Sequence, residues 1–141
     1  MIVVCDASVV VAFLTDEGDM GTWAVDRLRD ARLVAPSLLP FEVTNALRRL
    51  ERQGLISVDH ATQARLELDG LPMVEWPFAD IAPRVWELRA NLTASDASYV
   101  AVAEELQAPL LTMDAALAGC PGVRCPVEHP GSTGSAAGTL G

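Results

Sequence analysis

Four carboxylates stand out by the stretches that carry them. They are Asp6 in Ile2-Val3-Val4-Cys5-Asp6-Ala7-Ser8, Glu42 in Pro40-Phe41-Glu42-Val43-Thr44-Asn45, Asp96 in Thr93-Ala94-Ser95-Asp96 and Asp114 in Leu110-Leu111-Thr112-Met113-Asp114. Like charges a few ångströms apart repel strongly, so such a set needs a counter-charge if it converges. Mg2+ or Mn2+ matches it, because both take oxygen ligands, retain waters and pair with phosphate. The chemistry such a site performs is phosphodiester hydrolysis, with a water activated and the leaving oxygen steadied. Each acid also has a local explanation. Asp6-Ala7-Ser8 fits an Asx turn, Thr93-x-x-Asp96 a capping box, Asp114 an N-cap and Glu42 a solvated helix position. It is their joint placement that asks for more.

That placement depends on the elements. The β-branched run 2–5 reads as a buried strand that stops on Asp6, and in open α/β sheets ligands gather at the carboxyl ends of strands. A strand at 109–112 puts Asp114, two residues on, at the same edge of a parallel sheet. The segment 37–53 is the strongest helix, with Leu39, Val43, Ala46, Leu47 and Leu50 as its apolar stripe and Gly54 as its stop. Glu42, Asn45 and Arg49 share its other face at i, i+3, i+7. A helix at 96–106 carries Asp96 in its first turn, where the helix dipole favours a carboxylate.

Around these the spacing predicts a helical turn or two in 9–14, helices at 20–30 and 59–68, and strands at 33–35 and 72–76. A helix is expected at 79–90, its apolar face made of Ile81, Val85, Trp86 and Leu88, with a short helix at 114–118 and an edge strand at 123–127. Strands alternating with helices give an α/β chain with a central parallel sheet. The segment 129–141, rich in Gly, Ser and Ala, is expected to be a disordered tail, leaving one domain at 1–128.

At 141 residues, half of them apolar, the chain suits a single domain with a real core. All ten basic residues are arginine. The net charge of −9 argues against a binder held to nucleic acid by a broad basic surface. Metal ions can still let a phosphate approach locally. Cys5, Cys120 and Cys125 form no disulfide framework, and no leader or membrane-length run is visible, so a soluble cytoplasmic protein is expected.

Taken in order, Val3-Val4-Cys5-Asp6-Ala7-Ser8, Pro36 to Leu47, Leu92 to Leu106 and Pro109 to Asp114 resemble the PIN-domain ribonucleases, most nearly the VapC toxins of bacterial toxin–antitoxin pairs. The resemblance covers about residues 2–118. It implies a three-layer α/β/α sandwich with four or five parallel strands, and a metal site of Asp6, Glu42, Asp96 and Asp114. Ser8 and Thr112 match the family's small hydroxyl neighbours and Asn45 its polar companion. The implied activity is that of an Mg2+- or Mn2+-dependent endoribonuclease that stops translation. The implied assembly is a homodimer, inhibited by an antitoxin whose C-terminal segment occupies the groove through an arginine. Arg48, Arg49, Arg52, Arg84 and Arg89 are candidate phosphate contacts, a solvated helix face being the equally open reading.

Rival chemistries fail on single residues. A receiver-type domain and a haloacid-dehalogenase-like phosphatase both need a lysine, and the chain has none. The phosphatase also needs a second Asp where Ser8 stands. A zinc site from Cys120, Cys125 and His129 has three ligands at uneven spacing. Histidine acid–base cleavage would need His60 and His129 to meet from distant segments. The alternative left open is a catalytically inactive PIN-like scaffold that acts through partner binding.

Overall fold

The computed structural model describes residues 1–132. The run Ile2–Cys5 forms β1, and its last three residues are fully buried. The chain then turns at Asp6 straight into α1, Ala7–Thr15. This helix is longer than the turn or two expected, because Asp6 caps it directly and its apolar residues have a sheet to cover. After α2, Asp19–Leu28, come β2, Arg32–Pro36, and α3, Leu39–Arg52. Next are α4, Val58–Asp69, and β3, Val74–Trp76.

A single 3-10 turn, Phe78–Asp80, precedes α5, Ala82–Glu87. The continuous helix expected at 79–90 is therefore broken. Pro83 sits in the first turn of α5, where its missing N–H and its ring forbid helix on the preceding side. Trp86 also leaves the apolar face assigned to it: Ile81, Val85 and Leu88 are buried, whereas Trp86 is 66% exposed. The chain closes with α6, Ala94–Leu106, β4, Leu110–Leu111, a 3-10 turn at Ala115–Gly119, and β5, Val127–Glu128.

The five strands are all parallel, in the order β3-β2-β1-β4-β5. The edge strand expected at 123–127 is reduced to two residues. It pairs with β4 over that short span, Leu110 and Thr112 N–H donating to the carbonyls of Pro126 and Glu128, and Pro126 has no N–H to extend the ladder. Helix α1 packs on α2, α3 and α4, while α5 packs on α6, which lies against β1, β2 and β4. This is the three-layer α/β/α sandwich. Seven consecutive residues of α6, Ala97 to Ala103, are buried, so this helix is covered all round. Beyond β5, His129 N–H donates to Ser132 Oγ in a tight turn. The part of the expected tail from 133 to 141 lies outside the described residues.

Candidate active-site groove

The strand order runs outward from β1 in two directions, through β2 to β3 and through β4 to β5. Such a reversal opens a crevice at the carboxyl ends of the two central strands, where α/β proteins place their ligands. Asp6 follows β1 there and Thr112 follows β4. A groove of about 440 Å3 lies at this point, lined by Asp6, Ser8, Glu42, Arg49, Asp96 and Tyr99 among others.

Asp6 is held by more bonds than a cap requires. Its Oδ1 accepts from Ser8 N–H at 3.1 Å and from the Ser8 hydroxyl, and its Oδ2 accepts from Thr112 Oγ at 2.6 Å. Each hydroxyl is itself fixed by an amide: Met113 N–H donates to Ser8 Oγ and Asp114 N–H to Thr112 Oγ, both at 3.0 Å. With the amide bond received, each hydroxyl proton has one place to go, the carboxylate of Asp6. Burial pushes the Asp6 carboxyl above its ordinary value, and the hydrogen bonds from Ser8, Thr112 and the Val9 and Ser8 amides oppose that rise without cancelling it. The site thus contains a carboxylate whose charge the protein has only partly compensated.

Helix α3 supplies Glu42, Ala46, Arg49, Leu50 and Gln53 to the groove. The face predicted from 42, 45 and 49 is rotated: Ala46 and Leu50 turn to the groove, and Asn45 is exposed and outside its lining. Only Leu39, Val43 and Leu47 make the buried stripe. Asp96 lies in the first turn of α6, which Thr93 caps by accepting from Asp96 N–H at 3.2 Å. One turn further, Tyr99 is almost fully buried, and its hydroxyl donates to Glu42 Oε1. Burial, reinforced by Glu42, pushes the phenol well above its ordinary range and keeps it a donor. Sequence reading missed Tyr99, because a tyrosine inside an apolar run reads as core.

Asp114 does not line the groove. It is exposed, and its Oδ1 accepts from Ala116 N–H to cap the 3-10 turn. Its tie to the site runs through the backbone, by the amide that fixes Thr112. Three of the four expected acids therefore share one groove. Among the described residues, no three His, Cys, Asp or Glu side chains sit close enough to cage a metal by themselves. The donors that line the groove are oxygens, with no cysteine or histidine beside them, which suits a hard cation that keeps part of its water.

Of the candidate arginines, only Arg49 lines the groove, and it makes no ion pair among the described residues. Arg48 and Arg52 are exposed on α3. Arg89 lies over the Trp86 ring, 4.2 Å from its centroid. Arg84 is committed elsewhere. In a second cleft of about 640 Å3 it bonds Glu104 at 2.7 and 3.2 Å and the Gly122 carbonyl at 2.7 Å.

A PIN-domain family model matches residues 3–120. Ribonuclease VapC1 of Mycobacterium tuberculosis is 40% identical over 129 residues, covering 89% of this chain and 95% of its own. Ribonuclease VapC9 of the same organism is 34% identical over 125 residues with the same coverage. Among solved structures, VapBC2 from Rickettsia felis, bound to a promoter DNA fragment, superposes with a TM-score of 0.65 at 15% identity, covering 92% of this chain and 98% of its own. No described helix is long and apolar enough to cross a membrane.

Proposed function

The chain belongs to the PIN-domain family, among the VapC ribonucleases, and from that premise we propose that it is a metal-dependent endoribonuclease toxin. It cuts RNA phosphodiesters and thereby stops translation, and a VapB-like antitoxin holds it in check. The observation that carries this reading is the groove at the sheet reversal, lined by Asp6, Glu42 and Asp96, with Asp6 partly buried and met by hydroxyls and amides but, among the described residues, by no cation.

Mg2+ or Mn2+ bound there would supply the Lewis acidity that activates water and the positive charge that meets the scissile phosphate. Asp6, Glu42 and Asp96 are the carboxylates proposed to hold it, directly or through the waters it retains. Asp6 offers one lone-pair direction on Oδ2, the rest being taken by Ser8 and Thr112. Asp96 sits in the first turn of α6, where the helix N-terminus favours a negative group. Arg49 is placed to bond a phosphate oxygen of the bound strand. Asp114 and Asn45 act from the rim, Asp114 through the amide that orients Thr112. Ser8 and Thr112 hold Asp6 in one rotamer.

An acidic groove with a single arginine also suits the guanidinium of an antitoxin segment, which can pair bidentately with carboxylates. The protein is proposed to act as a cytoplasmic homodimer, in complex with that antitoxin when silenced. Incubation of the purified protein with total RNA and Mg2+ or Mn2+ tests the reading. Cleavage is expected that stops with EDTA and falls at least about a hundredfold in Asp6→Asn. Cleavage that survives either change would refute the mechanism, and no cleavage of any cellular RNA would favour an inactive scaffold.

A further inference from the structure

Helix α6 contributes to the groove twice, at Asp96 and at Tyr99, three residues apart and so on one face. The phenol crosses to α3, fifty-seven residues away in sequence, and donates to Glu42 Oε1. Nothing else in the described structure bonds the Glu42 carboxylate. A helix glutamate left alone would sample several rotamers, most of them directed to water. The tyrosine is almost fully buried and belongs to the same core cluster as Leu39, Val43 and Val100. Thr112 stands in a similar relation to Asp6, a buried hydroxyl donating to one carboxylate oxygen and so fixing the rotamer.

We propose that Tyr99 is a positioning residue for the metal site, holding Glu42 in one rotamer by its Oε1 so that Oε2 alone is presented to a divalent cation. The inference rests on the metal-dependent reading above. It gives Tyr99 no contact with RNA or with the reacting atoms. Outer partners of this kind change metal affinity or activity by about ten- to a hundredfold when removed. Tyr99→Phe deletes the hydroxyl and keeps the ring, so the core remains filled.

Mn2+ binding by calorimetry on the full chain, without RNA, reads the effect directly. Tyr99→Phe is expected to weaken Mn2+ about tenfold while keeping a cooperative thermal melt. In a Glu42→Gln background the same substitution is expected to change Mn2+ affinity less than about twofold, because its effect passes through Glu42. Unchanged affinity in Tyr99→Phe overturns the inference while leaving the metal site intact. An equal loss in both backgrounds also overturns it, as a general loosening of the fold. A wild-type chain that binds no Mn2+ overturns the metal reading and this inference together.

Discussion

Glu104 and Asp6 are both carboxylates set into clefts, yet the protein moves their proton affinities in opposite directions. At Glu104 burial pushes the carboxyl up, but bonds from Arg84 and from the Arg124 amide outweigh it and hold the group below its usual range. At Asp6 burial wins, because its partners are hydroxyls and amides and no guanidinium. The Glu104 cleft is the larger, about 640 Å3 against about 440 Å3. Size is therefore a poor guide here. The larger cleft has met its own charge and can serve as structure, while the smaller leaves charge for something that arrives from outside.

Five substitutions would sharpen or break that contrast. The largest effect is expected from Thr112→Val, which keeps the shape but removes one donor to Asp6 and orphans the Asp114 amide. Mn2+ affinity and RNA cleavage should fall about ten- to a hundredfold, with about 1–3 kcal/mol of stability lost. Normal binding and turnover in this variant would mean that the hydroxyl is not what keeps Asp6 in place.

Next is Glu104→Gln, expected to cost about 1–2 kcal/mol of stability at neutral pH and to leave cleavage unchanged. Its pH dependence carries the sign. A lowered carboxyl stabilises the fold above its unfolded pKa and loses that contribution as pH falls through its folded pKa. The deficit of Glu104→Gln in thermal melts should therefore close in acid. Asp6 runs the other way. Its raised pKa gives a contribution present below the unfolded value and lost as pH rises through the folded one, so without divalent ions the wild type should gain on Asp6→Asn toward acid. Parallel curves for the two variants would break the comparison.

The smallest effect is expected for the arginines. Arg49→Ala should weaken RNA binding a few-fold and lower the salt dependence by roughly one phosphate contact, whereas Arg89→Ala, lying on Trp86, should do less. Filter binding at several ionic strengths separates them, and a larger loss for Arg89→Ala would move the RNA path toward α5.

Much of this was readable in the chain. A β-branched run that halts on Asp6, and a helix of small apolar residues that opens on Asp96, announce their positions through local pattern alone. Periodicity fixed that Glu42 sits on a helix but misjudged which neighbours share its face, since Ala46 and Leu50 are apolar and yet turn toward the groove. At Pro83 and Pro126 a missing N–H cuts a helix and a strand short, which apolar spacing does not register. Tyr99 was out of reach, because its hydroxyl acquires a meaning only when α6 is laid beside α3. Asp114 was placed at the correct edge, but its carboxylate is engaged by the turn that follows it.

The two hydroxyls around Asp6 have a consequence for how this site could decay. Ser8 and Thr112 each accept from an amide on one side and present a proton to position 6 on the other. A residue there must receive from both, which an aspartate does and an asparagine amide does only in part. Loss of the carboxylate at position 6 is thus felt at two other positions as well, where the protons of Ser8 and Thr112 lose the acceptor that now orients them.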